Sequence, residues 1–256
     1  MLGADRRREV YDILRRRRSA TVAELAGALA VSVQTVRRDL DVLGEQGLIE
    51  RVHGGAVVAD GPHGGAVEGA APERSFVQSD EKRRIGSAAA ALVEPGSTIF
   101  LSGGTTTEHV VPKLPANARI TVVTNAINVI YALSTRPDVE AILLGGYLRH
   151  SELTLLGPMA EQAIGQFRFD QALYGCFGLD PEDGLSGASL VETAMDRAVI
   201  ASVGRLTVLA DHTKFDQRGP VRLAEVGRIS TLVTDTGAPE DGVRRLADHG
   251  VEVVLA

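Results

Sequence analysis

Phe100–Val110 reads FLSGGTTTEHV: an apolar strand-like segment, two glycines, three threonines, and then residues that suit a helix. Glycine lets the backbone approach another group closely, and the free N–H groups that open a helix favour an anion. The junction is therefore either a tight turn or a cradle for an anion. Its neighbours decide which. Apolar runs recur at 97–101 (STIFL), 119–124 (RITVVT), 139–144 (VEAILL), 170–177 (DQALYGCF), 205–210 (RLTVLA), 229–234 (ISTLVT) and 251–255 (VEVVL), with helix-like patterns between most of them. Near-continuous apolar strands alternating with helices predict a parallel sheet covered on both faces, an open α/β sandwich.

In such a sheet, ligands bind outside the carboxyl ends of the strands. The first run is followed by Ser102, Gly103, Gly104, Thr105, Thr106 and Thr107, and the second by Thr124 and Asn125. The third leads to Gly145, Gly146 and then Arg149, the fourth to Gly178-Leu179-Asp180, and the fifth to Asp211, His212, Thr213 and Lys214. Glycines, hydroxyls, an amide and two cations gather on one rim, which favours the cradle. Only three lysines occur, Lys82, Lys113 and Lys214, against 24 arginines; Lys82 and Lys214 fall where a phosphate or sugar hydroxyl could be held. Asp80 is placed to cap a helix carrying Lys82, Ile85, Ala89 and Leu92 and ending near Pro95-Gly96.

Upstream, the pattern changes. Val10, Ile13 and Leu14 predict a first helix from about Asp5 to Arg18, and Thr21 with Glu24 forms a capping-box signature before Val22, Leu25, Ala26 and Leu29. After Ala30-Val31, Ser32 can cap a third helix whose stripe is Val33, Val36, Leu40 and Leu43. Gln34, Thr35, Arg37, Arg38 and Asp41 lie on its opposite face, with Gln34, Arg37 and Arg38 at i, i+3 and i+4. Gln pairs bidentately with adenine and Arg with guanine in the major groove, while helix starts and threonine hydroxyls hold phosphate. This is the layout of a recognition helix. LIERVHGGAVV then predicts a hairpin turning at His53-Gly54-Gly55, the wing of a winged helix, with Arg51 and His53 along the sugar-phosphate backbone. The expected DNA-contacting residues are Ser32, Gln34, Thr35, Arg37, Arg38, Arg51 and His53.

Charge follows this division. Residues 1–53 hold 10 Lys plus Arg against 8 Asp plus Glu, and residues 54–256 hold 17 against 25, so only the first part is net basic. No apolar run approaches the roughly 18 residues that span a bilayer, and no apolar segment follows the N-terminal arginines as in a secretory leader. The single cysteine, Cys176, cannot make an internal disulfide, which fits a reducing cytoplasm, and its strand-like setting reads as core packing. The six histidines and this cysteine show no metal-ligand spacing, and His109 reads as a helix-surface residue. No cofactor is expected.

The stretch ELAGALAVSVQTVRRDLDVLGEQGLIERVHGGAV, with its S-x-x-T-V-R-R-D-L core and R-x-H-G-G-A tail, resembles the N-terminal signature of the DeoR family of bacterial transcriptional regulators. The remainder resembles the sensor domain of that family at Glu81-Lys82, Gly104–Thr107, Val123–Asn125, Leu144–Gly146 and Asp211–Phe215. The resemblance implies a fold related to ribose-5-phosphate and glucosamine-6-phosphate isomerases, and a repressor released by a phosphorylated sugar or related metabolite. It departs in two places: Ser102 stands where the family often has an acid before G-T-T-T, and Asp196 stands where a lysine follows Glu192, with Arg197 retained.

The expected organisation is a winged helix-turn-helix domain at 1–56, a linker at 57–73 rich in Gly, Ala and Pro, and an α/β effector-sensing domain at 74–256. The expected effector residues are Lys82, Gly103, Gly104, Thr105, Thr106, Thr107, Thr124, Asn125, Gly145, Gly146, Arg149, Asp211 and Lys214. The expected function is a cytoplasmic DNA-binding repressor of carbohydrate genes. Its operator affinity is set by the effector, and it is assembled as a homodimer or homotetramer through its C-terminal domain to read paired half-sites. The alternative is a sugar-phosphate isomerase-like enzyme with an added DNA-binding module, for which Asp180, Asp183, Glu192 and Asp211 are candidate bases.

Overall fold

The computed structural model describes residues 3–17, 19–45, 49–52, 54–58, 78–215 and 217–256. Most of the expected linker, together with His53, lies outside these. The chain divides into two compact units, Met1–Gly65 and Ala66–Ala256.

In the first unit, α1 (Gly3–Arg17), α2 (Val22–Leu29) and α3 (Val33–Glu45) pack through Val10, Leu14, Leu25, Leu29, Val36, Leu40 and Leu43, all buried. Thr21 caps α2 in a full capping box: its Oγ1 accepts from the Glu24 amide at 3.2 Å, and Glu24 Oε2 accepts from the Thr21 amide at 2.7 Å. The turn to α3 closes with Ala30 in the left-handed region, φ 52°. One strand was not anticipated from the sequence. β1 (Ser19–Thr21) joins the hairpin of β2 (Ile49–Val52) and β3 (Gly55–Val58) in an antiparallel sheet of order β1-β3-β2. The two glycines of the hairpin do different work. Gly54 takes φ +83°, whereas Gly55 lies within β3 opposite Thr21, where a Cβ would come within 2.4 Å of the Ala20 carbonyl oxygen.

The second unit opens with α4 (Ser79–Ala91). Seven parallel strands follow: β4 (Thr98–Leu101), β5 (Thr121–Thr124), β6 (Glu140–Leu143), β9 (Phe169–Gly175), β12 (Val203–Leu209), β14 (Thr231–Thr234) and β15 (Glu252–Leu255), in the order β15-β14-β12-β9-β4-β5-β6. Alternate strand residues feed two cores. Ile99, Leu101, Val122, Leu173, Leu209 and Val233 pack under α4 and α5 (Ile127–Leu133). Phe100, Val123, Ala172, Tyr174, Val208 and Leu232 pack under α6 (Pro158–Ile164), α7 (Leu190–Ser202) and α8 (Glu240–Asp248). This is the expected α/β sandwich, with the alternation that burial on both faces requires.

Smaller elements decorate the carboxyl ends. β7 (Tyr147–Arg149) and β8 (Thr154–Leu156) form an antiparallel hairpin after β6. β10 (Gly178–Asp180), β11 (Gly184–Gly187) and β13 (Val221–Ala224) form a three-stranded antiparallel sheet after β9.

Three local expectations are corrected. Val33, assigned to the buried stripe of α3, is 42% exposed, because as the first helical residue it projects past the packed turns. Asp80 does not cap α4; Gln78 holds that place in the left-handed region without a side-chain capping bond, and Asp80 pairs with Arg83 one turn on. The segment after Gly104 is not an α-helix but two three-residue 3₁₀ turns, Thr107–His109 and Val111–Lys113. Pro112 has no N–H to bond back four residues, so the chain cannot continue as an α-helix. A three-residue turn supplies no macrodipole, so any anion here would be held by local groups alone.

Candidate functional site

On α3, Gln34, Arg37 and Arg38 are exposed together. The helix start beneath them is tied: Ser32 Oγ accepts from the Thr35 amide at 3.1 Å and lies 2.8 Å from Thr35 Oγ1. Both hydroxyls thus serve the cap first. From the wing, Arg51 Nη1 donates to Asp41 Oδ1 at 2.5 Å and to the Arg37 carbonyl at 3.2 Å, which braces β2 against α3. Inside, the buried Asp39 accepts from Arg6 Nε at 2.6 Å and Nη2 at 3.1 Å, fixing the exposed face of α3 relative to α1. His53 lies outside the described residues.

In the second unit, β4, β5 and β6 step one way across the sheet, and β9, β12, β14 and β15 step the other. The strand order therefore reverses between β4 and β9, the position at which the chains leaving the strand ends of an open α/β sheet part to make a ligand crevice. Ser102–Thr107 leaves β4 there. Ser102 is committed to the backbone: its Oγ donates to the Gly103 carbonyl at 3.1 Å and accepts from the Gly175 amide at 3.0 Å, spanning the switch point. Gly104 takes φ +137°, and a Cβ on Gly103 would meet Thr154 Cγ2 at 2.5 Å. Thr105, Thr106 and Thr107 are buried, and Thr107 Oγ1 donates to the Gly104 carbonyl at 3.0 Å.

Thr124 and Asn125 close the β5 side. The Thr124 hydroxyl accepts from the Ala126 amide at 3.1 Å, and Asn125 Nδ2 donates to the Leu155 carbonyl at 3.1 Å. Two residues of this crevice were missed from the sequence. Asn128 Nδ2 donates to the Gly104 carbonyl at 3.3 Å and to Glu108 at 2.9 Å, and Thr154, on β8, packs on Gly103. The oxygens Asn128 Oδ1 and Thr154 Oγ1 are buried and find no hydrogen-bond partner among the described residues. Neither follows a strand end, the signal used to collect the others.

Beside β9, the end of β12 presents Asp211, His212 and Lys214. Asp211 is buried and caps the short turn His212–Lys214, its Oδ1 accepting from the Thr213 amide at 3.0 Å. His212 Nδ1 lies 2.9 Å from Asp235 Oδ2, and its Nε2 lies 3.4 Å from Gln78 Nε2 at the start of α4. Burial works to raise the Asp235 carboxyl, but the His212 and Gly237 amides and the His212 ring hold it below its ordinary value. Asp235 was also missed, although it directly follows the strand run 229–234. Lys82, one turn into α4, is buried, and α4 packs along the turn at Thr107–His109, with Gly86 against His109.

The remaining predicted rim residues do not enter this crevice. Gly145 and Gly146 are exposed; Gly146, at φ +150°, is required by β8, since a Cβ would meet the Leu156 carbonyl oxygen at 2.5 Å. Arg149 turns to α7, its Nε 3.1 Å from Glu192 Oε1 and 3.0 Å from Ser151 Oγ. One turn along α7, Asp196 accepts from the buried Tyr174 hydroxyl on β9. Burial, with Glu192 nearby, pushes the Asp196 carboxyl up to about 7 against the pull of Tyr174. The other candidate bases are also engaged: Asp180 accepts from Arg218 Nη2 at 2.7 Å, and Asp183 lies 3.0 Å from Arg218 Nη1. Cys176 packs partly buried against the core, as its strand-like setting implied. Among the described residues, no three His, Cys, Asp or Glu gather as a metal site, and no helix is long and apolar enough to cross a membrane.

Comparison with known proteins agrees with this division. Residues 6–61 match the DeoR-like helix-turn-helix domain, and residues 77–236 match the DeoR C terminal sensor domain. The chain is 32% identical over 255 residues to the HTH-type transcriptional repressor CsqR of Escherichia coli (strain K12), covering 100% of this chain and 96% of that one. It is 31% identical over 255 residues to the glycerol-3-phosphate regulon repressor of the same organism, covering 100% of both. Among solved structures, ribose 5-phosphate isomerase A from Methanocaldococcus jannaschii aligns at a TM-score of 0.39 and 16% identity, over 54% of this chain and 55% of that one. With both domain signatures in order along one chain and relatives aligned from end to end, this protein belongs to the DeoR family of helix-turn-helix transcriptional regulators.

Proposed function

We propose that this regulator is a repressor of carbohydrate genes. In this reading it contacts operator DNA through Gln34, Arg37 and Arg38 on α3, with Ser32, Thr35, Arg51 and His53 on the backbone, and it loses operator affinity when a phosphorylated sugar binds the second unit. One observation carries the effector half: the switch point between β4 and β9 is lined by the Gly103-Gly104 turn and Thr105–Thr107. Lys82 lies on the helix packed along that loop, and Asp211 and Lys214 stand one strand away. Gly145, Gly146 and Arg149 act at the margin, through the β7–β8 hairpin. Because the first unit presents one recognition helix and paired half-sites need two, the working form is a homo-oligomer joined through the second unit. It works where the DNA is, in the cytoplasm.

The isomerase reading is weaker, because Asp180, Asp183, Glu192 and Asp211 each already hold a partner within the fold and Ser102 replaces the acid of the family pattern. A thermal-shift screen of phosphorylated sugars tests the effector half. A true effector at 100 times its Kd stabilises the chain by about 2.7 kcal/mol. The shift disappears in Lys214→Ala while DNA binding is kept; a full shift in that variant removes the rim from the site.

A further inference from the structure

Seven large apolar side chains are exposed among the described residues of the second unit, and five of them, Tyr131, Leu143, Tyr147, Leu148 and Met159, surround β6. They lie around this one edge of the sheet, Leu143 and Tyr131 toward one face and Met159 toward the other. A Cβ on Gly145 would meet Met159 Cε at 3.7 Å, a Cβ on Gly157 would meet the Tyr147 ring at 3.1 Å, and α5, which carries Tyr131, packs on β6. Among the described residues, β6 is also an open edge of the seven-stranded sheet, paired only with β5. The Glu140 and Leu144 amides bond inward to β5, so by alternation those of Ala141 and Leu143 face outward. Glu140, the one charge on the strand, is tied inward by Thr121 Oγ1 at 2.9 Å. Natural sheets blunt free edges with charges, bulges or cover. This edge is apolar instead.

We infer that the β6 edge, with the five apolar side chains around it, is the surface through which two copies of this chain associate. A strand edge is completed by another strand, and the same edge on a second copy supplies one across a two-fold axis. The five side chains expose about 500 Å² per copy, so a two-fold contact through them buries roughly 1,000 Å², the lower bound of a specific interface. The location also gives a route for regulation. The β7–β8 hairpin puts Tyr147 and Leu148 at this edge, while its Arg149 holds Glu192 and its Thr154 lies on Gly103 at the crevice. Only this coupling, not the surface itself, rests on the proposed effector site.

Sedimentation velocity of the full chain tests the surface. Tyr131→Lys with Met159→Lys should weaken self-association at least about tenfold, or lower the assembly by one step if the wild type is a tetramer. Leu190→Lys and Leu255→Lys, also exposed but elsewhere, should leave it unchanged, and all variants should keep the wild-type circular dichroism. A monomeric wild type, unchanged assembly in the edge variant, or equal loss in the controls would overturn the inference. If the edge variant misfolds, amide exchange in the wild type decides: Ala141 and Leu143 should slow as concentration rises, and exchange independent of concentration overturns it. Neither readout uses DNA or a sugar phosphate. A chain that pairs through β6 yet ignores every sugar phosphate therefore keeps this inference and loses the effector site.

Discussion

Val33 and Leu40 stand seven residues apart on one helix and point almost the same way, yet one is 42% exposed and the other fully buried. Periodicity reads direction, not how far the packing partner extends, so the first residue of α3 was misassigned from sequence. The difference is measurable by denaturant unfolding: Leu40→Ala should cost about 2–5 kcal/mol and Val33→Ala within about 0.5 kcal/mol. On the opposite face, Arg37→Ala should weaken operator binding and relax base preference by about 1–3 kcal/mol for a lost bidentate pair. Equal binding to all sequences before and after the change would remove α3 as the reading helix. At the crevice, Gly103→Ala places a methyl group against Thr154 Cγ2, so it should abolish the sugar-phosphate thermal shift while DNA binding persists. The glycines and threonines of this loop were legible because they directly follow a strand. Asn128 and Thr154 were not, because they arrive from α5 and from the hairpin, which only the tertiary fold brings to the loop.

Among the elements, the strands were the most legible, since each of the seven apolar runs holds a strand of the main sheet. The connections were less so. Pro112 turned an expected helix into 3₁₀ turns, and the hairpins after β6 and β9 are too short to show a period. The contact between α7 and β9 makes a pH-dependent prediction. The folded Asp196 carboxyl titrates at about 7, above the ordinary 3.8, so the folded state holds the proton more tightly than the unfolded chain. Its stabilising effect is complete below the ordinary carboxylate range and is lost as pH rises toward about 7. Asp196→Asn, which can still accept from Tyr174, should therefore raise the melting temperature above neutral pH and change it little in acid. A melting curve as pH-sensitive as that of the wild type would show that this carboxyl ionises without penalty.

For the whole molecule, the charge division has a consequence for binding. The residues up to 53 are net basic and the rest net acidic, so attraction to DNA depends on a few arginines of the first unit. Operator affinity should fall steeply with salt, and Arg51→Ala, which removes a backbone contact of the proposed reading, should reduce that slope by about one counterion. Within that unit, Thr21 ends a strand of the wing sheet and begins α2. Its backbone pairs opposite Gly55 while its hydroxyl and amide close the capping box. The reading head thus has a keystone rather than a flexible joint. In the proposed reading, wing and helix-turn-helix meet the double helix as a single stamp, and damage to this one threonine blurs both halves of the imprint.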